Sequence, residues 1–329
     1  MMVRAFSAVC LVSSFAPALV RAQSLLVVGN KPANTATIVE LATGKTLATL
    51  PTGVGPHEAA ASRDGRWAVI TDYGTGPAPG STLTVIDLGS RRVAKKIDLG
   101  EYRRPHGVQF LEGDSLVAVT VEANEAVLVV SLAAGAIRRV IETKQATSHM
   151  VSLRSDRRVG YTANIRANSI SEVNFLPGAT RSLTVGAQPE GIGARPDGKE
   201  VWVGSNTEGT ITVVDVGSWL VVATLQVGER PYRVSISPDG TRAAASLTAS
   251  NRVRLYDVAT RREVATVEIP GAEGQPAQPV GIAFSRDGRT AYVACQGTGS
   301  VAIIDVREAK LVRTVSVGPG PDAVAIAER

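Results

Sequence analysis

The 329-residue chain is short of the residue types that most often carry chemistry or covalent staples. It has two cysteines, three tryptophans and three histidines, and aromatic residues make up only 4%. Cys10 lies inside an apolar N-terminal run, so removal of that run leaves Cys295 alone. A lone cysteine excludes an intramolecular disulfide, a CxxC zinc ribbon, a thioredoxin motif and a CxxCH haem attachment. So few aromatics leave no stacking platform for single-stranded nucleic acid, and no nucleic-acid partner is expected. Asp-x-Asp-x-Asp-Gly calcium loops are also absent.

Only one stretch is long, apolar and uncharged, Ala5–Val20. Arg4 precedes it, and Val20-Arg21-Ala22 places small residues at the −3 and −1 positions before Gln23. Residues 1–22 read as a secretory signal peptide, with a periplasmic or secreted mature chain and no membrane span after cleavage. Removing Arg4 and Arg21 from 35 basic residues leaves 33 against 30 acidic ones, a net +3. So small an excess over some 300 residues argues for no polyanionic partner.

What is plentiful is glycine, at 32, and a pattern that returns. Each copy reads as a start residue, usually proline, then an apolar run, a Ser/Arg-x-Asp-Gly turn, a second apolar run, a polar loop, and Val-x-Val-x-Asp with a further run. Copies start at Pro56, Pro105, Ser148, Pro189, Pro231 and Pro279, spaced 41 to 49 residues apart. Asp64-Gly65, Asp197-Gly198, Asp239-Gly240 and Asp287-Gly288 are the turn cores. Asp-Gly between apolar runs signals a hairpin, and four short strands per copy cannot bury both faces alone. A period of this length with four strands predicts an all-β, seven-bladed β-propeller over residues 23–329, a single domain. The seventh blade combines Leu25–Gly29, Thr35–Leu41 and Thr46–Pro51 with a C-terminal first strand, Asp322–Ala327, which closes the ring. Asp87, Asp215, Asp257 and Asp305 recur in every good copy and are read as turn formers.

The stretches PYRVSISPDG (231–240), GIAFSRDGRTAYVA (281–294) and YTAN (161–164) resemble the YVTN β-propeller repeat family. The resemblance covers essentially the whole mature chain. It implies a seven-bladed propeller, commonly extracytoplasmic, in a group that includes lactonase-like and cytochrome-d1-like relatives. It is specific for fold and weak for function, because the fold hosts many chemistries.

All three histidines, His57, His106 and His149, fall at the start of a blade's first strand. Around the ring this register reads His57, His106, His149, Glu190, Tyr232, Val280, Asp322. First strands line the central channel, so these positions ring a funnel mouth. Three imidazoles flanked by two carboxylates suit a divalent transition metal, whether zinc, copper, iron or manganese, with open coordination positions toward the funnel. Glu58 and Glu190 are candidate general bases, and Arg233 a candidate anchor for an anionic ligand. Asp72, Glu122 and Asn164, at the ends of second strands, are placed to orient imidazoles from behind. The leading expectation is metal and small-ligand binding, with metal-dependent hydrolysis of a lactone or ester as its enzymatic form. Two rivals remain open: a metal-free pocket, or a non-catalytic scaffold for a protein partner. Cys295 reads as a buried small residue rather than a nucleophile.

Overall fold

A computed structural model describes residues 24–328. The expected signal peptide lies outside the described residues. The rest forms seven four-stranded antiparallel sheets, with one turn of 3-10 helix at Glu122–Asn124. Six sheets are continuous in sequence, over residues 56–98, 105–142, 148–184, 189–226, 233–268 and 279–316. The closing sheet joins Pro321–Ala327 to Leu25–Asn30, Thr35–Glu40 and Thr46–Pro51. Leu26 pairs with Ile326 and Val28 with Val324, so the ring shuts through backbone hydrogen bonds rather than a covalent link. No helix of the described residues is long and apolar enough to cross a membrane.

The strand gradient follows from burial. Second and third strands, such as LVAVTV and AVLVVS in the second blade, are buried almost throughout because neighbouring blades cover both faces. Outer strands such as RVAKKID alternate exposed and buried residues and present charge on their free edges. The aspartates of the Val-x-Asp turns accept backbone N–H groups two or three residues on, as Asp87 does from Gly89 and Ser90 at 2.9 Å. Cys295 is fully buried in an apolar cluster, and burial pushes its thiol up to about 11. Such a thiol is not a nucleophile at neutral pH.

One local irregularity positions the centre of the molecule. In the first blade Pro56 pairs with Asp72 but Ala59 pairs with Ile70, leaving one extra residue around His57–Glu58. The same slip occurs at Pro105/Val108, Ser148/Val151, Pro189/Ile192 and Pro279/Ile282, and again around Asp322. A bulge bends a strand and re-aims its side chains. Here it lets two consecutive residues, His57 and Glu58, both reach toward the axis. It also frees a backbone N–H, which a hydroxyl of the second strand takes up. Thr71 accepts from Glu58 N and Thr120 from Gly107 N, and in the fifth blade, whose pairing carries no slip, Ser246 accepts from Arg233 N. Each hydroxyl then donates to the next blade's first strand, at His106 O, His149 O and Val280 O. The glycines beside the ring residues are needed for the closeness of the strands. A Cβ on Gly107 would come within 2.6 Å of Val151 N, and one on Gly191 within 2.4 Å of Val234 N.

Candidate functional site

The three histidines meet at the axis. Ring centroids are 4.1 Å apart for His57–His106 and 3.6 Å for His106–His149. All three are buried, at 6%, 0% and 8% exposure, rather than facing an open funnel as expected. Tyr73 covers them edge-on, 5.0 Å from His57 and 5.5 Å from His106.

Each outer histidine has partners. Lys31 Nζ donates to His57 Nε2 at 2.8 Å and to Asp322 Oδ2 at 3.3 Å. His57 Nδ1 lies 3.1 Å from Asp322 Oδ2, but it is not aimed for a hydrogen bond, so that contact is electrostatic. On the other side, His149 Nδ1 bonds Glu122 Oε1 closely, and Tyr73 donates its hydroxyl to Glu122 Oε2 at 2.6 Å. His149 Nε2 faces Glu190 Oε1 at 3.7 Å. His106, between them, has no hydrogen-bond partner on either ring nitrogen.

The charges around this layer shift its proton affinities in opposite directions. Burial holds His57 down to about 4, despite Asp322, and holds His106 well below the usual imidazole range. Burial would lower His149 too, but Glu122 and Glu190 outweigh it and raise it. Burial likewise opposes ionisation of Glu190 and Glu122, yet His149 and, for Glu190, Arg233 and Arg230 keep both below the ordinary carboxylate value.

The neutrality of His57 has a testable consequence. An unfolded chain takes a proton on this residue below pH 6.5, whereas the native state resists until about 4. His57 therefore disfavours the native state increasingly as pH falls through that window. In EDTA, the stability of wild type relative to His57→Gln is expected to fall by roughly 2–3 kcal/mol between pH 7.5 and 4.5. Urea midpoints of both proteins at the two pH values check it, and a pH-independent difference counts against a neutral buried imidazole.

Arg233 is not free to hold a ligand. It is 4% exposed, and it reaches across the axis from the fifth blade to bond Glu58 of the first. It also donates to Glu190 Oε1 at 3.2 Å. Glu58 is thus tied to a cation, although burial raises its pKa above the ordinary carboxylate range. Glu190 is bound by Arg230 at 2.8 Å and by Asn206 as well as Arg233. None of these three stands ready as an open base or anchor.

Asp72 and Asn164 do not orient imidazoles. Asp72 accepts from Gly53 N, Thr82 and Thr84, and burial is what raises its pKa. Asn164 bonds Ser148, Thr162, Ser169 and Ser171. Both brace their own blade's strand ends. Glu122 differs because it sits one residue further on: Val121, not Glu122, pairs with Pro105 as Asp72 pairs with Pro56. Of the positions equivalent to Glu122 in other blades, Lys31, Tyr73 and Asn206 touch the central layer. Reading the register one residue beyond each second strand finds these residues.

The three imidazoles do not form one ligand group among the described residues. The atoms that come within 4.8 Å of one another form two sets, His57–Glu58–His106 and His106–Glu122–His149. Asp322 and Glu190 belong to neither. An open depression of about 570 Å³, lined by Tyr73, Arg104, Glu122, His149 and Arg166, lies against His149. A second cavity of about 360 Å³ runs along the inner strands from Glu58 and Arg233 past Val108 and Ile192.

Comparisons with known proteins agree on the architecture. The YNCE-like beta-propeller family model matches residues 112–242. A structure titled Kuenenia stuttgartiensis hydrazine synthase superposes with a TM-score of 0.70 at 19% identity, covering 82% of this chain and 89% of that one. A functionally unknown protein from Desulfotomaculum acetoxidans DSM 771 superposes with a TM-score of 0.76 at 12% identity, covering 92% and 99%. No curated protein sequence matches significantly. Neither a lactonase-like nor a cytochrome-d1-like branch is singled out. With the repeats, the closed ring of seven sheets and these likenesses together, the chain is a seven-bladed β-propeller that resembles the YVTN-type repeat proteins.

Proposed function

We propose that this propeller is an extracytoplasmic binding protein whose axis holds a divalent transition metal on its histidines. A small anionic ligand would approach from the depression beside His149. The observation that carries the reading is His106. Its ring is wholly buried, both nitrogens lack a partner, and carboxylates and imidazoles stand within ligand distance. Leaving a buried polar atom unpaired costs about 1–3 kcal/mol, and a metal ion relieves that cost using the donors already present. Imidazole with carboxylate suits zinc, copper, iron or manganese. Glu122 and Asp322 place carboxylate charge beside the outer imidazoles.

The anionic preference of the ligand rests on Arg104 and Arg166, which line that depression while Arg233 is enclosed. A bound metal would polarise the carbonyl of a lactone or ester. A hydrolytic role also needs an accessible base, and Glu58 and Glu190 are both occupied by arginine. The reading therefore stops at binding.

Metal analysis after dialysis against zinc, copper, iron and manganese in turn tests it. The wild-type protein is expected to retain at least one equivalent of one of them. His57→Ala/His106→Ala/His149→Ala is expected to retain less than about a tenth. Wild-type retention of less than about a tenth of an equivalent for all four metals overturns the reading.

A further inference from the structure

Resting on that reading, the geometry points to a pair of metal sites bridged by the imidazolate of His106, rather than one site shared by three histidines. The two ligand sets, His57–Glu58–His106 and His106–Glu122–His149, have only His106 in common. His106 stands between the other two rings, at 4.1 and 3.6 Å centroid separation, with different tilts of 53° and 35°. Both outer histidines are engaged by a neighbouring side chain: His57 accepts from Lys31, and His149 bonds Glu122 through Nδ1. His106 has neither nitrogen engaged, although it is the most deeply buried of the three. An imidazole with two unengaged nitrogens between two donor sets is the arrangement a bridge requires.

Each ligand set includes its own carboxylate, Glu58 in one and Glu122 in the other, and an ion in the first set would take over the Glu58 oxygen that Arg233 holds. A neutral imidazole offers one lone pair and one N–H. Binding the first ion uses the lone pair. Binding the second requires the N–H proton to leave to solvent, and the electron pair it leaves behind forms the second metal–nitrogen bond. The proton shared by Glu122 and His149 is displaced in the same way when His149 ligates through the nitrogen that holds it.

Copper(II) is the probe, because two Cu²⁺ ions joined by an imidazolate couple magnetically and lose spin intensity, while separate ions do not. The full-length wild-type protein, titrated with Cu²⁺ alone, is expected to take two equivalents. The integrated EPR signal at two equivalents is expected to be well below two spins at low temperature. Replacing one ion with Zn²⁺ is expected to restore one full spin. Glu58→Gln and Glu122→Gln are each expected to lower the stoichiometry to one, with the remaining ion magnetically isolated. One equivalent in the wild type overturns the pair and leaves the metal-binding reading standing. Two equivalents with two full spins overturn the bridge. No binding of Cu²⁺ overturns the pair, while the metal-binding reading is decided separately by the dialysis against all four metals. The decisive measurements are on the wild type, so the bridge stands or falls even if a variant fails to fold.

Discussion

Deleting residues 321–329 is expected to abolish cooperative folding. The deletion removes one of the 28 strands among the described residues, yet that strand is the first strand of the closing blade and covers the edge of Leu25–Asn30. Without it Leu25, Leu26, Val27 and Val28, all buried in the ring, lose one flank, and Ala323, Val324 and Ala325 leave the core entirely. Burial of a Val or Leu side chain contributes about 1.5–3 kcal/mol. Several such losses together equal or exceed the roughly 5–15 kcal/mol by which a folded domain is stable. An unpaired apolar edge strand is also a template for aggregation. Gel filtration and circular-dichroism melts should show aggregate or a broad, non-cooperative transition. A circular permutant should fold normally if residue 328 is joined to residue 24 by a short turn and the chain is cut in the loop between the third and fourth blades. It keeps every strand pair, because Ala327 lies opposite Leu25 at that junction. A deletion variant that melts like wild type would show that the hydrogen-bonded closure contributes little.

Arg233→Met is expected to destabilise the protein by about 3–5 kcal/mol, the usual cost of removing one partner from a buried charge network. The guanidinium sits between Glu58 and Glu190 with 4% exposure, and both carboxylates would be left in the interior. Burial would lower the arginine's proton affinity, but Glu58, Tyr232 and Glu190 outweigh it, so Arg233 stays charged at any working pH. Methionine has a similar length and leaves no large cavity, so the loss reports on charge more than on volume. The triple variant Arg233→Met/Glu58→Gln/Glu190→Gln should recover most of the loss, and Glu58→Gln alone should be milder than Arg233→Met. Chemical denaturation measures all of these. An Arg233→Met protein within about 1 kcal/mol of wild type would mean that water or relaxation at the axis solvates the carboxylates.

The architecture was legible because a repeat writes its period into the chain. The Asp-Gly turns and the proline starts gave six blades, and the leftover segments at the two ends matched the strands of the closing blade nearly residue for residue. The convergence of His57, His106 and His149 was legible for the same reason, since equal register becomes equal height on a rotational axis. What happens across the axis was not. Arg233 and Glu58 come from blades that are not neighbours, and no period relates their side chains. The burial of the histidines depends on Tyr73 and Lys31, one residue beyond strand ends whose bounds a sequence fixes only approximately. Glu122 resembles Asp72 and Asn164 in sequence because a strand end is uncertain by one residue, yet it lies just past its own. Such a slip moves a side chain to the opposite face, which separates the residues that brace a blade from the one that touches an imidazole.

The hydroxyls of Thr71, Thr120 and Ser246 have a wider implication for how such proteins change. Each ties a backbone N–H of its own blade to a carbonyl of the next, so at these three junctions the place of an axial residue is dictated by its neighbour on one side. The diameter of the hub, and with it the gap between imidazoles, is therefore set by how many units complete the circle. Gain or loss of one unit, the easiest genetic change open to a tandem array, would leave each unit intact and still pull the histidines out of reach of one another. Substitutions within units can diversify this molecule, whereas its unit number is frozen once chemistry resides on the axis.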